Sequence, residues 1–241
     1  MRTATITFSV LLALMLAAPL TGCGDPTQDL PPADVRDDRE APPEDDEDVE
    51  APAEDEEAVE EVPEAAERVE YALQPADSVI GWVGSSPYTG SQRGTFEEFE
   101  GILSIEGDDV MTLRADVTID TTSVATGNQT LLEAMKVDVL NVEEFPEARF
   151  VSEEVEEDNG SYTLVGDFTL HGVTRTIGMP LDVIDVTDDA IRLEAYFSIS
   201  RSNWDIYYEG HGWQRTFEGA ADNAIRDGVA LQIDVRAARQ D

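Results

Sequence analysis

A chain of 241 residues has room for one sizeable domain with appendages, and 41% hydrophobic residues permit a packed core. Lys and Arg number 15 against 53 Asp and Glu, a formal net charge of −38, so the surface as a whole repels nucleic acid and anionic head groups and argues against either as a charge-driven partner. The single cysteine, Cys23, excludes an intramolecular disulfide and a cysteine-based zinc cluster.

Residues 1–22 open with Arg2 and carry an apolar run from Ile6 to Leu20. That is the layout of a secretory signal peptide, and it is short for a membrane span. The run ends in Leu20-Thr-Gly-Cys23, which resembles the lipobox of bacterial lipoproteins. The resemblance implies cleavage before Cys23 and lipidation of its thiol, and Gly24 at the next position favours the outer membrane over the inner. Residues 24–68 hold 20 carboxylates against 3 arginines and no aromatic side chain. Such a stretch cannot bury enough apolar surface to offset its ordering entropy, so residues 23–68 are expected to be a lipidated Cys followed by a disordered acidic linker. At roughly 5–6 Å × √n, a linker of this length would hold the following domain typically about 35–40 Å from its anchor.

From Val69 onward the texture changes to alternation. Strands are expected at Tyr71 to Leu73, Ser78 to Ser85, Arg93 to Glu106 with bends at Gly94 and Gly101, and Met111 to Ile119. The period then breaks. Asn128 to Val137 has Leu131, Leu132 and Met135 at helical spacing, and predicts one short helix of about three turns. Phe145-Pro146 closes that excursion. Strands resume at Ala148 to Glu154, Tyr162 to Leu181, Ile191 to Ile199 and Val229 to Val235. The stretch 162–181 reads as a hairpin about His171-Gly172, pairing Leu170 with Val173, Phe168 with Arg175 and Leu164 with Met179 on an apolar face. Eight or nine one-sided strands with a single helix imply an all-β fold, either an antiparallel barrel or a sandwich.

Several blocks together resemble a known family. They are Ser78-Val-Ile-Gly-Trp82, Gly94-Thr-Phe-Glu-Glu-Phe-Glu-Gly101, Phe145-Pro-Glu-Ala-Arg-Phe150, Leu164-Val-Gly-Asp-Phe-Thr-Leu-His-Gly-Val-Thr-Arg175 and Ser200-Arg-Ser-Asn-Trp204. Over about residues 69–238 the chain resembles the YceI family, periplasmic polyisoprenoid-binding proteins with a lipocalin-like extended barrel. The resemblance implies a barrel that binds a long isoprenoid or similar amphipathic lipid, with no established catalytic residues and no cofactor other than such a lipid. It also implies a periplasmic site in the cell envelope. Val139 and Leu140 stand near the place where the family pattern has an aromatic pair, and Gln92-Arg93 replace a frequent histidine, so the ligand itself is left open.

The candidate lining set is Phe96, Phe99, Leu113, Val117, Phe150, Leu164, Phe168, Phe197 and Ile199, which forms either a solid core or a tunnel wall. Arg175, on the apolar face of the hairpin, and Arg201 are candidate partners for an anionic head group, because a guanidinium grips phosphate through two donors; the alternative for Arg175 is snorkelling to solvent. Only two histidines exist, His171 at the hairpin turn and His211 in a Gly-flanked loop. With no Gly-x-Ser-x-Gly elbow and no His-x-His or His-Glu-x-x-His pattern, neither a catalytic set nor a metal site is expected. Two other readings stay open: a solid interaction module of the envelope, and an enzyme acting on isoprenoid-type substrates.

Overall fold

The computed structural model describes residues 25–36, 67–207 and 225–240. The expected signal peptide, Cys23, residues 37–66 and His211 lie outside the described residues. Twelve strands carry the described fold. They are β1 (Asp34–Arg36), β2 (Arg68–Leu73), β3 (Val79–Ser86), β4 (Gly90–Phe96), β5 (Phe99–Glu106), β6 (Asp109–Asp120), β7 (Val124–Ala125), β8 (Glu147–Asp158), β9 (Ser161–Leu170), β10 (Val173–Val186), β11 (Ala190–Ser200) and β12 (Gly228–Arg239). Eight of them close a ring by antiparallel pairing in the order β2-β5-β6-β8-β9-β10-β11-β12 and back to β2. The fold is therefore an all-β antiparallel barrel with one short helix: of the two architectures the alternation allows, it is the one the family resemblance implies.

Period-2 alternation builds the wall because successive side chains point to opposite faces. Along β11, Ile191, Leu193, Ala195, Phe197 and Ile199 are buried while Arg192 and Tyr196 between them are exposed. The β9–β10 hairpin keeps the register read from sequence, with Leu170 opposite Val173, Phe168 opposite Arg175 and Leu164 opposite Met179. His171 (φ 52°) and Gly172 (φ 74°) both take positive φ at its turn. On the outer face the Thr169 and Thr174 hydroxyls lie 2.8 Å apart, and the Thr176 hydroxyl donates to Asp167 at 2.7 Å.

Two details of the expected strands change. The Arg93–Glu106 stretch breaks at Glu97-Glu98, where both N–H groups donate to the Ser123 hydroxyl at 3.1 and 3.0 Å. Gly94 and Gly101 lie within continuous ladders, where they are close approaches. A Cβ on Gly94 would stand 2.6 Å from the Trp82 ring, and one on Gly101 2.9 Å from the Val117 Cα. The partner strand breaks too, at the short turn Pro75–Asp77, so β2 with β3 and β4 with β5 make one long bent hairpin. Its β3–β4 half carries the wall beyond the ring. The helix α1 (Gln129–Ala134) begins where the Asn128 side chain accepts from the Thr130 and Leu131 N–H groups, and it runs on as a π-helical turn over Met135–Val139.

The largest departure lies in the expected linker. Residues 31–36 lie in the barrel wall, preceded by a turn over residues 26–29. Above the paired stretch Asp182–Val186, strands β10 and β11 part, and residues 31–36 enter the gap. The Ser198 N–H of β11 donates to Pro31 O at 3.0 Å, and the Ala33 N–H donates back to Ser198 O at 2.8 Å. On the other side Asp34, Val35 and Arg36 pair with Gly178, Ile177 and Thr176 of β10. Ala33 is buried and Val35 packs on the core. The physical reason is that a parted pair of strands exposes unpaired backbone groups on both sides, and a short extended segment satisfies both at once.

Candidate functional site

The two ends of the barrel differ. At one end tight turns join β5 to β6, β8 to β9 and β10 to β11. Tyr71, Ile105, Leu113 and Ile191 are packed there at 0–2% exposure, and the Tyr71 hydroxyl donates to Thr187 O at 3.1 Å. This end is a plug. The other end carries the β3–β4 tip, the helix α1, the His171-Gly172 turn and the turn Arg201–Trp204. Between them lies a cavity of about 940 Å³.

Its wall is built almost entirely from inward-facing hydrocarbon. Phe96, Phe150, Phe168 and Phe197 supply aromatic faces, and Val117, Leu164 and Ile199 supply aliphatic ones. Leu131 and Met135 of the helical excursion close over one side of the mouth. An apolar cavity of about 150 Å³ already stays dry and takes up benzene. This one is several times larger and stands at the upper end of the roughly 300–1,000 Å³ of known ligand pockets.

Of the candidate residues, Phe96, Val117, Phe150, Leu164, Phe168, Phe197, Ile199 and Arg201 line the cavity, and three do not. Leu113 belongs to the plug beneath the floor, at 1% exposure. Phe99 is buried in the core opposite Ile119. Arg175 does not line the cavity: its Nε donates to Asn203 O at 3.0 Å, tying β10 to the Arg201–Trp204 turn at the open end. The sequence reading missed Trp82, the inward residues of β12 and the helix residues as lining. The alternation of β12 and the spacing of Leu131 and Met135 were the signals available for them.

Arg201 is 5% exposed. Among the described residues its guanidinium donates to the carbonyls of Arg226 at 3.2 Å, Ile206 at 2.5 Å and Ile225 at 3.4 Å. These bonds lock the turn after β11 to the segment entering β12. Beside it the Trp204 indole N–H donates to Phe168 O at 3.1 Å, with the two rings 5.4 Å apart edge to face. His171 does not line the cavity either; its ring packs 4.3 Å from that of Phe145.

The YceI-like domain family matches residues 71–237, nearly the whole described barrel. The chain belongs to the YceI family. Among curated YceI proteins, that of Escherichia coli O157:H7 is 33% identical over 97 residues, covering 40% of this chain and 51% of that one. UPF0312 protein ECA1782 of Pectobacterium atrosepticum is 32% identical over 97 residues, covering 40% and 50%. The chain thus aligns with about half the length of these YceI relatives. BcnA of Burkholderia cenocepacia superposes with a TM-score of 0.58 at 20% identity, over 68% of this chain and 99% of that one. A polyisoprenoid binding domain from Saccharophagus degradans does so at 0.55 and 18% identity, over 71% and 99%. Both likenesses describe the shared YceI fold.

Proposed function

We propose that this YceI-family barrel binds, and sequesters or transports, a polyisoprenoid or similar long-chain amphipathic lipid, tethered to a membrane on the periplasmic side of the cell envelope, with the outer membrane favoured. One observation carries the reading: a hydrocarbon-lined cavity of about 940 Å³, plugged at one end and, among the described residues, open at the other. A solid interaction module has no use for that volume, since unfilled space forfeits dispersion contacts along its whole lining. The polyisoprenoid-binding neighbour from S. degradans supports the ligand class. Residues 1–23, with their signal-like run and lipobox-like ending, support the tether.

Mass spectrometry of solvent extracts from the purified protein tests this. Ala195 is 4% exposed and faces the cavity, so Ala195→Trp fills space without touching the surface. The native protein should yield a stoichiometric long-chain lipid, and the variant should stay folded with at least about tenfold less of it, a loss of about 1.4 kcal/mol or more in binding. Empty native barrels, or equal yields from both proteins, would count against a lipid in the cavity.

A further inference from the structure

The segment that fills the β10–β11 gap is preceded by residues 25–30, which reach the segment entering β12. Asp25 lies 3.7 Å from the Arg226 guanidinium, and Thr27 packs on Gly228, whose Cβ would stand 2.6 Å from the Thr27 hydroxyl. Arg226 lines the cavity, and its N–H donates to Ser85 O at 2.8 Å, close to the β3–β4 tip. Residue 25 is therefore held at the mouth. Cys23 is two residues away, within about 7 Å of extended chain, and the apolar run from Ile6 to Leu20 precedes it.

The mouth carries a second, independent feature. Tyr88 at the β3–β4 tip is 80% exposed and also lines the cavity, and Tyr207, next to the cavity-lining Ile206, is 52% exposed. Val137, on the helical excursion that closes over the mouth, is 67% exposed. At the plug end the turns Gly107-Asp108, Asn159-Gly160 and Asp188-Asp189 are polar or small, and the exposed apolar side chains nearest them, Met111 at 40% and Ile184 at 49%, are aliphatic and stand on strands β6 and β10. Tyrosines with an apolar ring and a polar tip settle at the head-group level of a bilayer.

We propose that the rim of the cavity mouth, with Tyr88, Tyr207 and Val137, is the surface that meets the lipid bilayer. Residues 25–36 hold it there by fixing the membrane-bound start of the chain at that rim. The proposal rests on the tethering part of the reading above and deepens it: the cavity opens toward the membrane, so an acyl or prenyl chain passes between bilayer and barrel without crossing water. The anchoring chemistry is shared by two sources, a lipid on Cys23 and the retained run Ile6–Leu20, and both precede Asp25 in the chain.

The full chain, extracted from the membrane fraction and returned to phosphatidylcholine vesicles, tests this by flotation and by amide hydrogen exchange with and without vesicles. The expected result is co-flotation, with exchange at Ser86–Gly90 and Ile206–Tyr207 slowed about tenfold on vesicles and the turns at 107–108, 159–160 and 188–189 unchanged. Mass spectrometry of intact chains shows which anchor is present. Co-flotation with protection at the plug end, or at neither end, overturns the orientation and leaves the tether standing. Failure to float overturns both, while lipid extraction from the purified protein still decides the binding reading on its own.

Discussion

Gly166 sits in the middle of β9, facing the bulge where β8 shifts register between Ser152 and Glu154. A Cβ there would stand 2.6 Å from the Ser152 Cα and 2.9 Å from the Phe150 ring, so one obstacle is backbone and cannot swing away. The position is on the inner face beside Ile177, which is 1% exposed, and no room opens on that side either. Gly166→Ala is expected to cost about 1–3 kcal/mol through overpacking, read as a lowered midpoint in chemical denaturation at unchanged slope. A wild-type midpoint would mean that the β8–β9 pair can separate more easily than its register implies. The same logic separates Arg175 from the role expected of it. Facing parity put its Cα on the apolar side, but a long side chain near the barrel end reaches a carbonyl of the neighbouring turn instead of the cavity.

At the scale of elements, strands with strict alternation were legible, because a one-residue slip would turn their whole apolar set to water. That covers the β9–β10 hairpin, β6, β11 and β12. Parity names the inward face but not the height along the strand, which is why Leu113 was grouped with Val117 although one plugs the floor and the other lines the cavity. The inserted β1 was not legible at all. Pro31-Pro-Ala-Asp-Val-Arg36 has too few residues to show a period and lies inside an acidic stretch whose composition argues for disorder. What holds it is tertiary: a gap between two strands, and a guanidinium that meets both Glu156 oxygens at 2.8 Å. The Arg36 hydrogen bonds hold the Glu156 carboxyl below its ordinary 4.5, against an opposing effect of burial. A carboxylate with a lowered folded pKa adds stability above its ordinary value and loses it as pH falls through the folded one. Protection of the Ala33 to Arg36 amides should therefore decline as pH drops below about 4.5, at a rate of exchange corrected for intrinsic chemistry. The pair is solvent-screened and worth roughly 0.2–1 kcal/mol, so the decline is a few-fold. Glu156→Gln should abolish that pH step while leaving the barrel's own denaturation unchanged. Loss of the whole ring on acidification along with β1 would show instead that the insert is part of the cooperative core.

Across the whole molecule, the ring and the cavity predict a stability that responds to what fills the barrel. A barrel of eight strands is wide enough to be filled by side chains, and here many inward positions are small or medium: Ala115, Ala148, Ala195, Val117 and Val229. The lining therefore does not meet across the axis, and its inward surfaces lack partners that a packed core would supply. A long apolar ligand provides those contacts only in the folded state, which makes binding a stability term of RT ln(1 + [L]/Kd), about 2.7 kcal/mol at a hundredfold excess over Kd. For a domain of this size, 1 kcal/mol moves the melting temperature by roughly 2–4 °C, so stripping the lipid should lower it by about 5–10 °C. Differential scanning calorimetry of stripped and refilled protein measures this. The refilled sample should regain the lost degrees in proportion to the logarithm of added lipid. Ala195→Trp should show a much smaller difference between the two states, because its cavity is already occupied by its own indole. Equal melting of stripped and filled native protein would mean that the ligand, if present, makes no net contact with the folded barrel, and the cavity could then not be the place where it is held.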